Sequence, residues 1–177
     1  MRKIYLARPD IFLPNGRAIG HLKVRLCVEL GFEGLYPPGN GADPTDALDI
    51  FKGNVGMMRR ADIGLFNLTP FRGPSADAGT VFELGFMYAL GKQVIGYSAV
   101  PGSYHLRVGS PDGGRHDRDG LEIEDFGRAD NLMITEALSS TGDAFFAGDE
   151  AGTATLAALG AFRRALQALT PLKEVRS

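Results

Sequence analysis

Along the first hundred residues, apolar positions come in short runs whose period switches between continuous and helical. Ile4-Tyr5-Leu6-Ala7 is a compact apolar run ending at Arg8-Pro9, which predicts a strand buried within a sheet. From about Arg17 to Leu30, Ile19, Leu22, Leu26 and Leu30 recur at helical spacing, and Gly31 supplies a stop. Gly34-Leu35-Tyr36-Pro37 predicts a brief second strand, and the Pro38-Gly-Asn-Gly that follows is a loop by composition. Thr45 to Arg60 predicts a second helix with Leu48, Phe51, Val55 and Met58 on one face. Asp62 to Asn67 predicts a third strand, about Thr80 to Leu90 a helix stopped by Gly91, and Gln93 to Tyr97 a fourth strand.

Short strands alternating with helices imply parallel pairing and right-handed crossovers. The expected fold is therefore α/β: a doubly wound, flavodoxin-like parallel sheet of about five strands, order 2-1-3-4-5, with helices on both faces. Residues 99–130 break the rhythm with Gly, Asp and Arg, and predict a long solvated loop. Its acids Asp112, Asp117 and Asp119 lack the spacing of an EF-hand. Asn131 to Leu138 regains helical character, Asp143 to Ala147 predicts a fifth strand, and Thr153 to Leu169 an apolar amphipathic helix that closes the sheet. Residues 1–170 read as a single domain and 171–177 as a tail.

Composition narrows the function classes. A chain of 177 residues with 44% hydrophobic content can bury one proper core. Its net charge of -2, from 19 basic and 21 acidic residues, provides no broad positive field, so polynucleotides are not expected partners. One cysteine, Cys27, sits in an apolar helical stretch and reads as core. No Cys/His cluster has zinc-ligand spacing, so no metal or other cofactor is expected. Without a signal-peptide pattern or an apolar run long enough for a bilayer, the expected location is cytoplasmic.

In open parallel sheets, ligands bind beyond the carboxyl ends of the strands where the strand order reverses. For the expected order, that crevice lies between strands one and three. It gathers Tyr5, Asp10, Phe12, Phe71, Arg72, Asp77 and, one turn into the following helix, Glu83. Glu83 is the odd residue, since Val81, Phe82, Leu84, Phe86, Met87 and Leu90 make its helix apolar on nearly every side. Two accounts stand side by side. Thr80-x-x-Glu83 is a capping box, with Thr80 as N-cap and Glu83 reaching back to its N–H. Alternatively, a carboxylate in the crevice stabilises or attacks an oxocarbenium-like sugar carbon, a second acid at Asp77 protonates the leaving base, and Phe12, Phe71 or Tyr5 sandwich that base.

Several segments together resemble the nucleoside 2-deoxyribosyltransferase family: Ile4-Tyr5-Leu6-Ala7, Ala47-Leu48-Asp49-Ile50 with Asn54, Asn67-Leu-Thr-Pro-Phe-Arg-Gly73, Asp77-x-Gly79-Thr-x-Phe-Glu83-x-Gly, Ala89-Leu-Gly-Lys92 and Asn131-Leu-Met133. The resemblance implies that Glu83 is the nucleophile at C1′, Asp77 the acid at the base, and Tyr5 the residue that positions the nucleophile. It further implies that Asn131, with Met133, binds the 5′ side of the deoxyribose, from a segment commonly supplied by a neighbouring subunit of a homo-oligomer. Where some members carry an aspartate, position 54 is Asn54, which can hydrogen-bond a base but not act as an acid. The implied reaction moves 2-deoxyribose between the bases of 2′-deoxyribonucleosides by double displacement, without a cofactor. The nearest alternative is hydrolysis of deoxyribonucleosides or their 5′-monophosphates on the same scaffold, with Arg8, Arg72 and Ser75 as candidate phosphate ligands. A catalytically silent nucleotide-binding module is the reading from another class.

Overall fold

The period-two alternation of each central strand decides which helix packs where. Ile4, Leu6, Ile63, Leu65, Ile95 and Tyr97 point to one side, where they bury against Leu26, Cys27, Phe162, Ala165 and Leu166. Tyr5, Ala7, Phe66 and Val94 point to the other, against Met58, Leu84, Met87, Ile134 and Leu138. The structure, a computed structural model, describes residues 1–37, 46–142, 145–148 and 158–169.

Five parallel strands, β1 (Lys3–Ala7), β2 (Glu33–Leu35), β3 (Ile63–Asn67), β4 (Gln93–Ser98) and β5 (Phe145–Ala147), form one sheet in the order β2-β1-β3-β4-β5. Helices α1 (Gly16–Glu29) and α6 (Leu159–Leu169) cover the first face. Helices α2 (Ala47–Arg60), α3 (Ala78–Ala89) and α5 (Leu132–Ser139) lie on the second. The doubly wound, flavodoxin-like order expected from the sequence is the observed one. β1 and β3 are adjacent, with Tyr5 opposite Gly64 and Ala7 opposite Phe66, so the strand order reverses between their carboxyl ends. Gly64 is small of necessity: a Cβ there would lie 2.4 Å from the Phe66 ring.

The predicted stop at Gly91 is a Schellman turn. Gly91 takes φ +68°, its N–H donates to Tyr88 O, and Lys92 N–H donates to Met87 O. Other expectations shift. Residues 99–130 are not wholly loop, because α4 (Tyr104–Val108) forms within them and His116 pairs with Glu122 in an antiparallel bridge. α2 buries only Met58, leaving Leu48 and Phe51 each 51% exposed, and in the amino-terminal half of its apolar stripe the Phe51 ring meets the likewise exposed ring of Phe82. α3 is likewise not buried all round: Phe82, Tyr88 and Leu90 are exposed. The expected loop at Pro38, the start of the second helix at Thr45, residues 143–144 of the fifth strand, 153–157 of the last helix and the tail at 171–177 lie outside the described residues. No helix among the described residues is long and apolar enough to cross a membrane.

Candidate active site

Tyr5 lies wholly buried on β1 and faces α3, so its phenol needs a partner inside the protein. That partner is Glu83: Tyr5 Oη donates to Glu83 Oε1 at 2.6 Å, and Asn54 Nδ2 on α2 approaches the same oxygen at 3.4 Å. Burial and the neighbouring carboxylate keep the Tyr5 hydroxyl protonated far above the usual phenol range, so it acts as a fixed donor. The Glu83 carboxyl is pushed up to about 7, chiefly by burial. The Tyr5 bond, the Arg8 charge and the Asn54 bond pull it down, whereas the Asp77 charge pushes it up.

Glu83 does not cap its helix. α3 starts at Ala78, two residues earlier than expected, and its N-cap is Asp77, whose Oδ2 accepts from Thr80 N–H at 2.9 Å and Thr80 Oγ1 at 3.1 Å. The capping-box reading of Thr80 and Glu83 is therefore overturned. Asp77 reaches the first-turn donors directly, and Glu83 is free to turn into the crevice. Gly79 makes this possible, because a Cβ there would sit 3.1 Å from Asp77 Oδ2. Both capping bonds fall on Oδ2, which leaves Oδ1 for a ligand.

The aromatic pair is also assembled. Phe12, in a single 3₁₀ turn at Asp10–Phe12, stacks on Phe71 with centroids 5.3 Å apart, and the Arg72 guanidinium covers both rings. Arg72 holds φ +57°, a left-handed conformation costing a non-glycine residue about 1 kcal/mol, and its ring contacts favour that geometry.

Asn131 and Met133 lie elsewhere. Asn131 is the N-cap of α5, its Oδ1 accepting from Met133 N–H. Together they line a groove between α3 and α5 with Ala78, Val81, Gly85 and Tyr88. At about 100° per residue, those α3 positions, together with Leu84, which lines the same groove, point roughly 100–220° away from Glu83. Asn131 thus faces outward across the side of α3 that does not carry Glu83.

One polar cluster escaped the sequence reading. Lys23, on the supposedly apolar face of α1, is fully buried and donates to Asp10 Oδ2 at 2.6 Å and Tyr97 Oη at 2.9 Å. Burial pulls its ammonium below the usual lysine range despite the Asp10 charge. Beside it, Arg8 donates to the Pro37 carbonyl and stacks on Tyr36, its Cζ 3.4 Å from the ring centroid. Lys23, Asp10, Arg8 and Glu83 form a series of alternating charge leading from α1 toward the crevice. The only signal available beforehand was a lysine inside an apolar stripe, and such residues usually extend their head groups to water. Cys27 is buried and its thiol is pushed up to about 12 by burial, as a core cysteine should be.

A raised Glu83 pKa carries a cost in stability. The folded state holds this proton more tightly than the unfolded chain does, so the Glu83 contribution is intact below the unfolded value and lost as pH rises through about 7. Glu83→Gln is therefore expected to be more stable than the parent at pH 8–9, by about 1–3 kcal/mol, with the gap closing toward pH 4. Urea unfolding at the two pH values reads this, and an equal gap at both would refute it.

Comparison with known proteins accords with the geometry. Residues 4–133 match the family described as Nucleoside 2-deoxyribosyltransferase. A solved 2-desoxiribosyltransferase from Leishmania mexicana is similar at 30% identity, over 93% of this chain and 98% of its own, with a TM-score of 0.69. A 2-deoxyribosyltransferase from Bacillus psychrosaccharolyticus is 25% identical over 77% of this chain and 82% of its own, with a TM-score of 0.50. A Clostridium botulinum CMP N-glycosidase shares the fold alone, at 13% identity, 95% and 98% coverage and a TM-score of 0.52. An uncharacterized protein of Schizosaccharomyces pombe is 29% identical over 78% of either chain. By the extent of the family match, the chain belongs to the nucleoside 2-deoxyribosyltransferase family.

Proposed function

We propose that this protein, acting as one domain over residues 1–170, transfers 2-deoxyribose between nucleobases through a covalent intermediate on Glu83. The observation that carries this is the isolated carboxylate of Glu83, held on one oxygen by Tyr5 and Asn54 in the switch-point crevice beside Asp77. The second oxygen of Glu83 attacks C1′ of the donor. The C1′–N bond breaks, its electron pair goes to the base, and Asp77 Oδ1 delivers the proton that the leaving base needs. An acceptor base then attacks C1′ from the vacated face, the C1′–O bond breaks, and the acceptor's proton returns to Asp77. Two inversions preserve the β configuration. Phe12 and Phe71 offer a flat apolar face for the base, with Gly79 at the helix entry. A 2′-hydroxyl would withdraw electrons from the forming cation, which favours 2′-deoxy sugars.

Asn131 and Met133 are assigned to the deoxyribose of a neighbouring copy's site, within a homo-oligomer. Their outward position supports this, as do the exposed Phe51, Phe82 and Tyr88 along α2 and α3, an apolar surface large for a solvated face. The deciding experiment incubates the protein with 2′-deoxyinosine and adenine. Deoxyadenosine is the expected product; free deoxyribose with no exchange would move the assignment to an N-glycosidase.

Asp77→Asn separates chemistry from capping. Asparagine caps a helix about as well as aspartate, so the melting transition should move by no more than about 0.5 kcal/mol. It cannot donate an acid proton, so exchange should fall by about 10²–10³-fold. An undiminished rate in steady-state assays would remove Asp77 from the proton path.

A further inference from the structure

The chain reaches Asp77 through a stretch that packs little of itself. Arg72, Gly73 and Pro74 are exposed, Arg72 takes φ +57°, and the turn is closed by Phe71 N–H donating to Ser75 O at 3.0 Å. A single side chain from another part of the fold holds the next two residues. Asp130, two residues before α5 and 2% exposed, accepts from Ser75 Oγ on Oδ1 and from Ala76 N–H on Oδ2 at 3.0 Å. Its Oδ1 also accepts from Asn131 N–H at 2.8 Å. The Asn131 side chain is engaged separately, with Nδ2 donating to Glu124 Oε2 at 2.9 Å and Oδ1 accepting from Met133 N–H.

The charge of Asp130 is balanced by Arg107 on α4. Arg107 Nη2 lies 4.0 Å from Asp130 Oδ2 and donates to Ala129 O, while Nε donates to Pro74 O at 2.9 Å and Nη1 to Gly102 O at 3.1 Å. One ion pair thus fastens Pro74, Ser75 and Ala76 to the segment leading into α5. Asp77 follows directly, and its own side chain is fixed from the other side by Thr80 N–H and Oγ1 on Oδ2. The direction of Asp77 Oδ1 therefore depends on two anchors, the start of α3 and Asp130. Buried and fully engaged, Asp130 presents no surface to a substrate and can act only through what it holds. A general acid has to lie within about 3 Å of the atom it protonates, and a misplacement of about 1 Å can cost about 10²-fold in rate.

We propose that Asp130 is a positioning residue for the acid step: clamped by Arg107, it fixes the Ser75–Ala76 approach so that Asp77 Oδ1 meets the departing base. This rests on the assignment of Asp77 as the proton donor.

The test is a double-variant cycle of Asp130→Asn and Asp77→Asn, read by exchange between 2′-deoxyinosine and adenine. Asparagine keeps the size of Asp130, but whichever way its amide lies, one arm sets a donor against backbone donors. Asp130→Asn should lower kcat by about 10–100-fold, with the donor KM within about threefold. In the Asp77→Asn background the same change should cost less than about twofold, because no acid is left to misplace. Equal losses in both backgrounds, as a merely structural role requires, or an unimpaired single variant, overturn the proposal. Ser75→Ala removes one donor and leaves the Asp130–Arg107 pair; it should repeat the pattern with a loss of about 3–10-fold, and it decides the matter if Asp130→Asn does not fold. The two assignments fail in different ways. Asp77→Asn exchanging at the parent rate removes the proton donor and the proposal with it, whereas a slow Asp77→Asn with equal losses in both backgrounds removes Asp130 alone.

Discussion

Glu83→Ala is expected to lower the rate of base exchange by about 10⁴-fold, about 5.5 kcal/mol of transition-state stabilisation, while the protein stays folded. The loss should be this large because no described neighbour can take over. Asn54 and Tyr5 present no carboxylate, and Asp77 is anchored to the helix N-terminus through Oδ2. In the parent, glycosylation needs Glu83 ionised together with an acid proton for the leaving base, so the rate should climb as Glu83 ionises around pH 7 and decline at higher pH instead of levelling. The substitution removes a carboxyl that burial disfavours but leaves the buried Tyr5 hydroxyl without its acceptor, two opposing effects that should keep the net change in stability within about 2 kcal/mol. Exchange kinetics with adenine as acceptor check the rate, and a rate within tenfold of the parent would eliminate Glu83 as the nucleophile. The same variant tests whether the site is shared between two copies, as proposed. Mixed with Asn131→Ala and reassembled, Glu83→Ala should regain activity, about a quarter of the parent level for randomly paired dimers. No recovery on mixing would place Asn131 in its own chain's chemistry or in none.

Lys23→Met is the second large expectation, and its effect is on folding. It should destabilise the chain by about 3–5 kcal/mol, because it leaves the fully buried carboxylate of Asp10 without its hydrogen-bonded ion-pair partner. Asp10 Oδ1 has no hydrogen-bond partner among the described residues, and Arg8 acts on this carboxylate only through its charge, so the lost bond is not replaced there. Adding Asp10→Asn should recover much of the loss by removing the unpaired charge. Denaturant unfolding of the single and double variants measures both terms, and additive effects would show that the pair is not coupled. The consequence reaches the site, since Asp10 sits two residues beyond Arg8 and starts the 3₁₀ turn that delivers Phe12 to Phe71.

The apolar surface of α2 and α3 belongs to the same picture. Leu48, Phe51 and Phe82 contribute little to the fold of one chain, with Phe51 and Phe82 in ring contact at 6.2 Å across the two helices. Residues that neither fill a core nor face water comfortably would suit the proposed subunit interface.

Strand order, the two helical layers and the crevice between β1 and β3 were legible in the chain, because hydrophobic period and chain connectivity are local properties that tolerate few topologies. Tyr5, Asp77 and Glu83 were legible as candidates, but their relation was not. Local spacing gave Glu83 a capping partner at Thr80, and only the fold showed Asp77 taking that place and Tyr5, 78 positions away, claiming Glu83. The buried Lys23–Asp10 pair, the bond from Asn131 to Glu124 and the outward direction of Asn131 were likewise decided by tertiary structure. The physical reason is common to all: hydrophobic pattern specifies which face of an element is buried, whereas a hydrogen bond or ion pair depends on angstrom-scale placement of groups from different elements.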